Sequence, residues 1–277
     1  MYLFFLFACH PPQMTTTSPS DIRIPAGQYD IGPDTMDDAP AHSMKRTVTL
    51  TYDYIISPTE LTIGEWLEVD ENLPSQYCQD APTQALTTQH PVRCISWCEA
   101  VIFANRKSKK EGRTPAYDFG ESADDIRHPI KCNEHAQFVQ LRHNTDGWRL
   151  PTEAEWEIAS RIEGEISAKD YAWFAENAKE ELHPVASKRA NPQGLFDTQG
   201  NLHEWIWERF GEFRSPHVYD PMTYEIPIPE LHTRPIKGGS YSSKEAGLRP
   251  SNRPNASPSL QHPAIGFRLV YTSIKRP

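Results

Sequence analysis

The sequence lacks what a membrane span, a nucleic-acid surface or a histidine metal centre would need. No apolar run approaches the roughly 20 residues of a spanning helix. Net charge is −9 and the pI about 5.7. Lysine and arginine gather only in the short Lys107–Lys110 run, which reads as a solvated helix end, so nucleic acid is excluded as a partner. The 11 histidines contain no H-x-x-x-H or H-E-x-x-H spacing, and His90, His128, His135, His143 and His203 read as surface or core-edge residues rather than ligands. Cysteine is scarce: Cys9, Cys78, Cys94, Cys98 and Cys132, with none beyond. Cys94-x3-Cys98 has no matching second pair, so the spacing is not that of a zinc site.

What is present suits a globular protein. The 277 residues are 38% hydrophobic and 10% aromatic, enough for one large domain or two small ones. The 25 prolines are spread along the chain, which marks rigid irregular loops rather than one disordered tract. Residues 1–9, MYLFFLFAC, form a short apolar run ending in Leu6-Phe7-Ala8-Cys9. This resembles a bacterial lipoprotein signal, which implies a lipid on Cys9 as the sole membrane attachment. The run is short and no Lys or Arg precedes it, so an ordinary apolar start is the alternative. Residues 10–21 then read as a polar tether, 22–272 as the domain and 273–277 as a tail.

With Cys9 set aside, an even four cysteines remain, which fits two disulfides outside the cytoplasm. Three pairings are open, of which Cys78–Cys94 and Cys98–Cys132 is preferred because the first closes a local loop. Four buried thiols in a cytosolic protein are the alternative.

Periodicity and caps place the elements. Ile22 and Ile24 alternate with Arg23 in a strand, and Val48, Leu50 and Tyr52 share one face of a strand over 46–52. Thr62/Glu65, Ser96/Glu99 and Thr152/Glu155 have capping-box spacing, each cap contributing about 1 kcal/mol. The first predicts a helix to about Val69. The second predicts one over 97–109 with Trp97, Ala100, Val101 and Ala104 on its buried side. The third predicts a helix with Glu155, Ile158, Ala159 and Ile162 on one face and Trp156 at its edge. Trp205-Ile206-Trp207 reads as a buried extended segment. Gly266–Val270 reads as a strand with Phe267 and Leu269 opposite Arg268 and Val270. The stretches 70–95, 110–147, 163–200 and 208–236 are irregular, and the expectation is a loop-rich α+β domain.

Several phrases then fall in a fixed order: Ile24-Pro25-Ala26-Gly27; Pro58-Thr59-Glu60-Leu61-Thr62; Pro91-Val92 with Ile95-Ser96-Trp97; Gly147-Trp148-Arg149-Leu150-Pro151-Thr152-Glu153-Ala154-Glu155-Trp156-Glu157; Gly194-Leu195-Phe196-Asp197 with Gly200-Asn201 and Glu204-Trp205; Gly238-Gly239-Ser240-Tyr241; and Gly266-Phe267-Arg268. Their order and wording resemble the formylglycine-generating enzyme family, also called the sulfatase-modifying-factor domain, over roughly the span 22–272. The resemblance implies a decorated C-type-lectin-like fold, α+β and poor in regular structure.

It also implies where the family's chemistry should lie. Its oxidases bind copper(I) through two cysteines five residues apart, just after the GGSY phrase, because a soft cation needs thiolates. Those positions are Ser243 and Leu248. Copper is therefore not expected, nor formylglycine formation by that route. The family's iron-dependent sulfoxide synthases use histidines on an extra helical domain, and nothing here matches them. Ser243 has no base and orienting group beside it in sequence, so a serine nucleophile is unsupported. Family members bind structural calcium, and Asp197, Asn201 and Glu204 offer oxygens of the right kind on a glycine turn. The other reading of that trio is hydrogen bonding to loop backbone.

The expected function is an extracytoplasmic binding or accessory module for a protein, peptide or glycan. Its cleft would be lined by Tyr241, Ser242, Ser243, Lys244 and Glu245, with Trp207 and Trp173 as aromatic contributors. The segments of retroelement-diversified binders are dense in Asn, whereas 238–268 holds only Asn252 and Asn255. The alternative function is an extracytoplasmic oxidoreductase or maturation enzyme acting on a protein or peptide.

Overall fold

Residues 20–33, 44–74, 78, 83–120, 128–142, 144–162, 167–213, 215–221, 226–227 and 232–273 are described by a computed structural model. Cys9 and the tether before Ser20 lie outside them. In chain order the elements begin with β1 (Ile22–Ile24), β2 (Gly27–Ile31), β3 (Arg46–Leu50), β4 (Tyr54–Ile56), α1 (Ile63–Val69) and α2 (Trp97–Lys110). Next come β5 (Tyr117–Asp118), α3 (Pro129–His135), β6 (Gln140–Leu141), α4 (Glu153–Ser160) and α5 (Ala168–Tyr171). The last are β7 (His203–Trp205), β8 (Gly211–Glu212), β9 (His217–Tyr219), β10 (Ile226–Pro227), β11 (Arg234–Lys237), β12 (Asn255–Ala256), β13 (Ile265–Gly266) and β14 (Val270–Thr272).

All three expected capping boxes close. Thr62, Ser96 and Thr152 accept from the N3 backbone, and Glu65, Glu99 and Glu155 accept the N–H of their cap residue. Both expected disulfides form, Cys78–Cys94 and Cys98–Cys132. They fit a protein that folds in an oxidising compartment outside the cytoplasm. No helix among the described residues is long and apolar enough to cross a membrane.

Two sheets position the functional face. In the first, β4 lies between β1 and β14, with Ile56 opposite both Ile22 and Val270. In the second, the order is β12-β11-β7-β13, with β7 antiparallel to β11 and parallel to β13. Glu204 is thereby opposite both Lys237 and Gly266. A separate sheet pairs β3 with β2 and β9. The main core is aromatic. Trp66 stacks on Phe103 at 4.6 Å, and Phe267 meets both rings edge-on at 6.5 and 5.8 Å.

Four expectations need correction. Gly266–Val270 is not one strand: residues 267–269 bridge β13 and β14 while their carbonyls accept from the N–H groups of Leu61 and Ser57. The side-chain alternation survives, but both sets are buried, Phe267 in the aromatic core and Arg268 against Glu204. Every residue of α4 is buried, so Trp156 is interior rather than at an edge. The stretch 110–147 contains β5, α3 and β6, and the strand from Arg46 ends at Leu50.

Candidate functional site

The loop after β11 is the candidate binding face. Gly238 and Gly239 have φ of 88° and 76°, the left-handed region that side chains disfavour. A Cβ on Gly239 would lie 2.7 Å from Leu248 Cδ2. Beyond the glycines the serines bond to one another. Ser240 N–H donates to Ser243 Oγ at 2.9 Å, and Ser243 N–H to the Ser240 carbonyl at 3.0 Å. Ser240 Oγ lies 3.1 and 3.2 Å from the hydroxyls of Ser242 and Ser243. Tyr241 N–H and the Ser243 carbonyl tie the turn to Asn201 and Ala175.

A 3-10 turn over Glu245–Leu248 then carries Leu248 down between Ala172 and Phe174. Ser243 Cβ is 3.5 Å from where a Cβ on Gly247, the residue before Leu248, would lie. Leu248 is only 2% exposed and fills its pocket with hydrocarbon. The loop presents Ser242, Lys244 and Glu245 to solvent, with Ser243 half-buried.

The aromatic contributors are placed differently. Tyr241 is buried against Leu202, Leu182, Ala178 and Ala264, and burial pushes its phenol up while the Arg93 guanidinium opposes the shift. Trp207 belongs to the core, stacked 5.5 Å from Trp97 and 5.0 Å from Tyr117, and offers no face to a ligand. Trp173 stacks on His183 at 3.7 Å, with the Lys188 ammonium 4.1 Å from its ring centroid.

Asp197, Asn201 and Glu204 are brought together, but they face protein donors. Both oxygens of Glu204 accept from Arg268 at 2.7 Å, and Trp156 Nε1 adds a bond at 2.8 Å. Asp197 Oδ2 accepts the Ala186 N–H, and Asn201 Oδ1 the His183 N–H. Glu60, which the sequence reading placed in a phrase but gave no role, completes the group by accepting from Asn201 Nδ2 and the Leu202 N–H. Burial pushes Glu60 well above the usual carboxylate range, helped by Asp197 and Glu204. Burial also pushes Asp197 up to about 6, against the Ala186 N–H and Arg268. Asp197 and Asn201 thus accept from loop backbone, whereas Glu204 is held by the Arg268 and Trp156 side chains. Among the described residues no cluster of three or more His, Cys, Asp or Glu could hold a metal ion.

A second buried network supports β11 from behind. Lys237 Nζ and Arg253 Nε reach Glu153 Oε1 at 3.2 and 2.7 Å, and the Glu153 N–H donates to both oxygens of Glu208.

The strand order, the paired glycines and the loop from Lys237 to Leu248 belong to a loop-rich α+β domain of the formylglycine-generating-enzyme type. The sulfatase-modifying factor enzyme 1-like domain matches residues 7–273, and the chain belongs to that family. The chaperone protein LppX of Paenibacillus barcinonensis is 26% identical over 240 residues, covering 76% of this chain and 79% of LppX. The formylglycine-generating enzyme of Streptomyces coelicolor is 33% identical over 160 residues, 45% of this chain and 46% of the enzyme. The chain thus spans less than half of that relative. Among solved structures, Treponema denticola variable protein 1 superposes with a TM-score of 0.76 at 27% identity, covering 91% of this chain and 94% of its own.

Proposed function

We propose that this chain is a non-oxidase member of its family, an extracytoplasmic accessory domain that binds a protein or peptide through the face formed by Ser242–Glu245. One observation carries the reading. Where the family's oxidases place two copper-binding thiols, this chain has a serine hydroxyl bonded to Ser240 and a leucine packed between Ala172 and Phe174. Neither is a ligand for a soft cation. The loop is held rigidly from below and shows short polar and charged groups outward, which suits recognition on a fixed scaffold. The likeness to a chaperone over most of both chains supports an accessory role toward another protein. Attachment through a lipid on Cys9 belongs to the same proposal, and a Cys9→Ser variant is expected to leave the membrane fraction.

The test is copper binding and turnover. The purified protein, titrated with Cu(I) and given oxygen and a cysteine-containing sulfatase peptide, is expected to bind no stoichiometric copper and consume no oxygen. Stoichiometric Cu(I) with oxidation of the peptide cysteine would overturn the reading.

A further inference from the structure

We propose that the Cys78–Cys94 disulfide is a redox-sensitive staple: a dithiol reductant opens it while Cys98–Cys132 stays closed, and opening lets the strained backbone at Cys94 relax. The two disulfides differ in access. Cys98 and Cys132 are both 0% exposed, Cys98 in the first turn of α2. Cys94 is also buried, but its partner Cys78 is half-exposed, so an attacking thiolate can reach the Cys78 sulfur. The disulfides also differ in backbone. Cys94 has φ 62°, the left-handed region, where a residue with a Cβ is held at a cost. Opening the bond removes one of the constraints that hold it there.

The neighbours confine the change. Val92 N–H donates to the Leu61 carbonyl at 2.8 Å, and the Ile95 carbonyl accepts from Trp205 Nε1 at 2.7 Å. With both sides anchored, relaxation is limited to Arg93 and Cys94, and the rest of the fold persists.

The chemistry balances as thiol–disulfide exchange. One thiolate of the dithiol attacks Cys78 Sγ, and Cys94 leaves as a thiolate that takes a proton from solvent. The second thiol of the reductant then attacks its own sulfur in the mixed disulfide and releases Cys78. The protein gains two electrons and two protons, and the reductant ends as a disulfide.

The experiment is a titration of the native protein with dithiothreitol, quenched by alkylation and read by peptide mass spectrometry. Cys78 and Cys94 should be labelled at least about ten-fold faster than Cys98 and Cys132. Hydrogen exchange on the singly reduced protein should rise at 93–94 and stay unchanged in α2. A Cys78→Ser/Cys94→Ser variant should reproduce that exchange pattern. Simultaneous labelling of both pairs, or labelling only as the fold is lost, overturns the staple. Selective reduction with unchanged exchange at 93–94 overturns the relaxation.

Discussion

Replacing Glu208 by glutamine should remove a pH dependence from the stability of the whole domain. Glu208 is 4% exposed, and its two oxygens accept the Glu153 N–H at 3.0 and 2.9 Å. Burial and the Glu153 carboxylate hold it protonated, pushing it up to about 8 from an ordinary 4.5. The folded state therefore keeps a proton that the unfolded chain has lost over that window. Stability is full below the unfolded value and falls as pH rises toward the folded one. At about 1.4 kcal/mol per unit, the loss between pH 5 and pH 8 is about 3 kcal/mol from this residue. Glutamine is neutral at every pH and can still accept the Glu153 N–H. Urea unfolding of both proteins at pH 5, 6, 7 and 8 gives the difference directly. Glu208→Gln should gain on the parent steadily across the series, by about 3 kcal/mol in all. A difference that stays constant from pH 5 to pH 8 would refute the reasoning, because Glu208 would then be ionised in the fold.

Three further outcomes follow from the buried groups. Arg268→Met removes the ion-pair partner of the buried Glu204 carboxylate, and should cost about 3–5 kcal/mol in chemical denaturation, with part recovered by adding Glu204→Gln. Gly200→Ala puts a Cβ 2.1 Å from the Trp173 carbonyl at φ 77°, and should lower stability by more than about 2 kcal/mol, read as a fall in Tm. Burial, with a smaller contribution from His262, lowers His203 to about 4, so the fold favours its neutral form. Stability should accordingly drop as pH falls from about 6.5 toward 4, and a His203→Gln variant should show a flatter acid limb in the same titration.

What could be read from the sequence was local. Thr62/Glu65, Ser96/Glu99 and Thr152/Glu155 signal helix starts within four residues, and each closes as spaced. Arg149 pairs with Glu155 at 2.6 Å, six residues away in the same phrase. The disulfide partners were narrowed by parity and loop closure. The pairings that build the candidate face were not legible. Glu60 reaches Asn201 across 141 positions, and Glu204 meets Arg268 across 64, with no periodicity to announce either. Trp205-Ile206-Trp207 reads as buried and all three residues are, but nothing in the spacing shows that Trp97 and Tyr117 cover the Trp207 ring. For Phe267 and Arg268 the alternation holds, but it distinguishes two faces without saying whether either meets water.

The sheet that holds Tyr54–Ile56 between Ile22–Ile24 and Val270–Thr272 has a consequence for how the protein is made. Its third strand lies more than 200 positions after its middle strand, so the sheet stays open until Val270–Thr272 has been made. Until then Ile56 lacks one of its two neighbours, and contacts of such sequence separation form slowly. Closing this sheet is therefore a late step in folding rather than one that accompanies synthesis of Tyr54–Ile56.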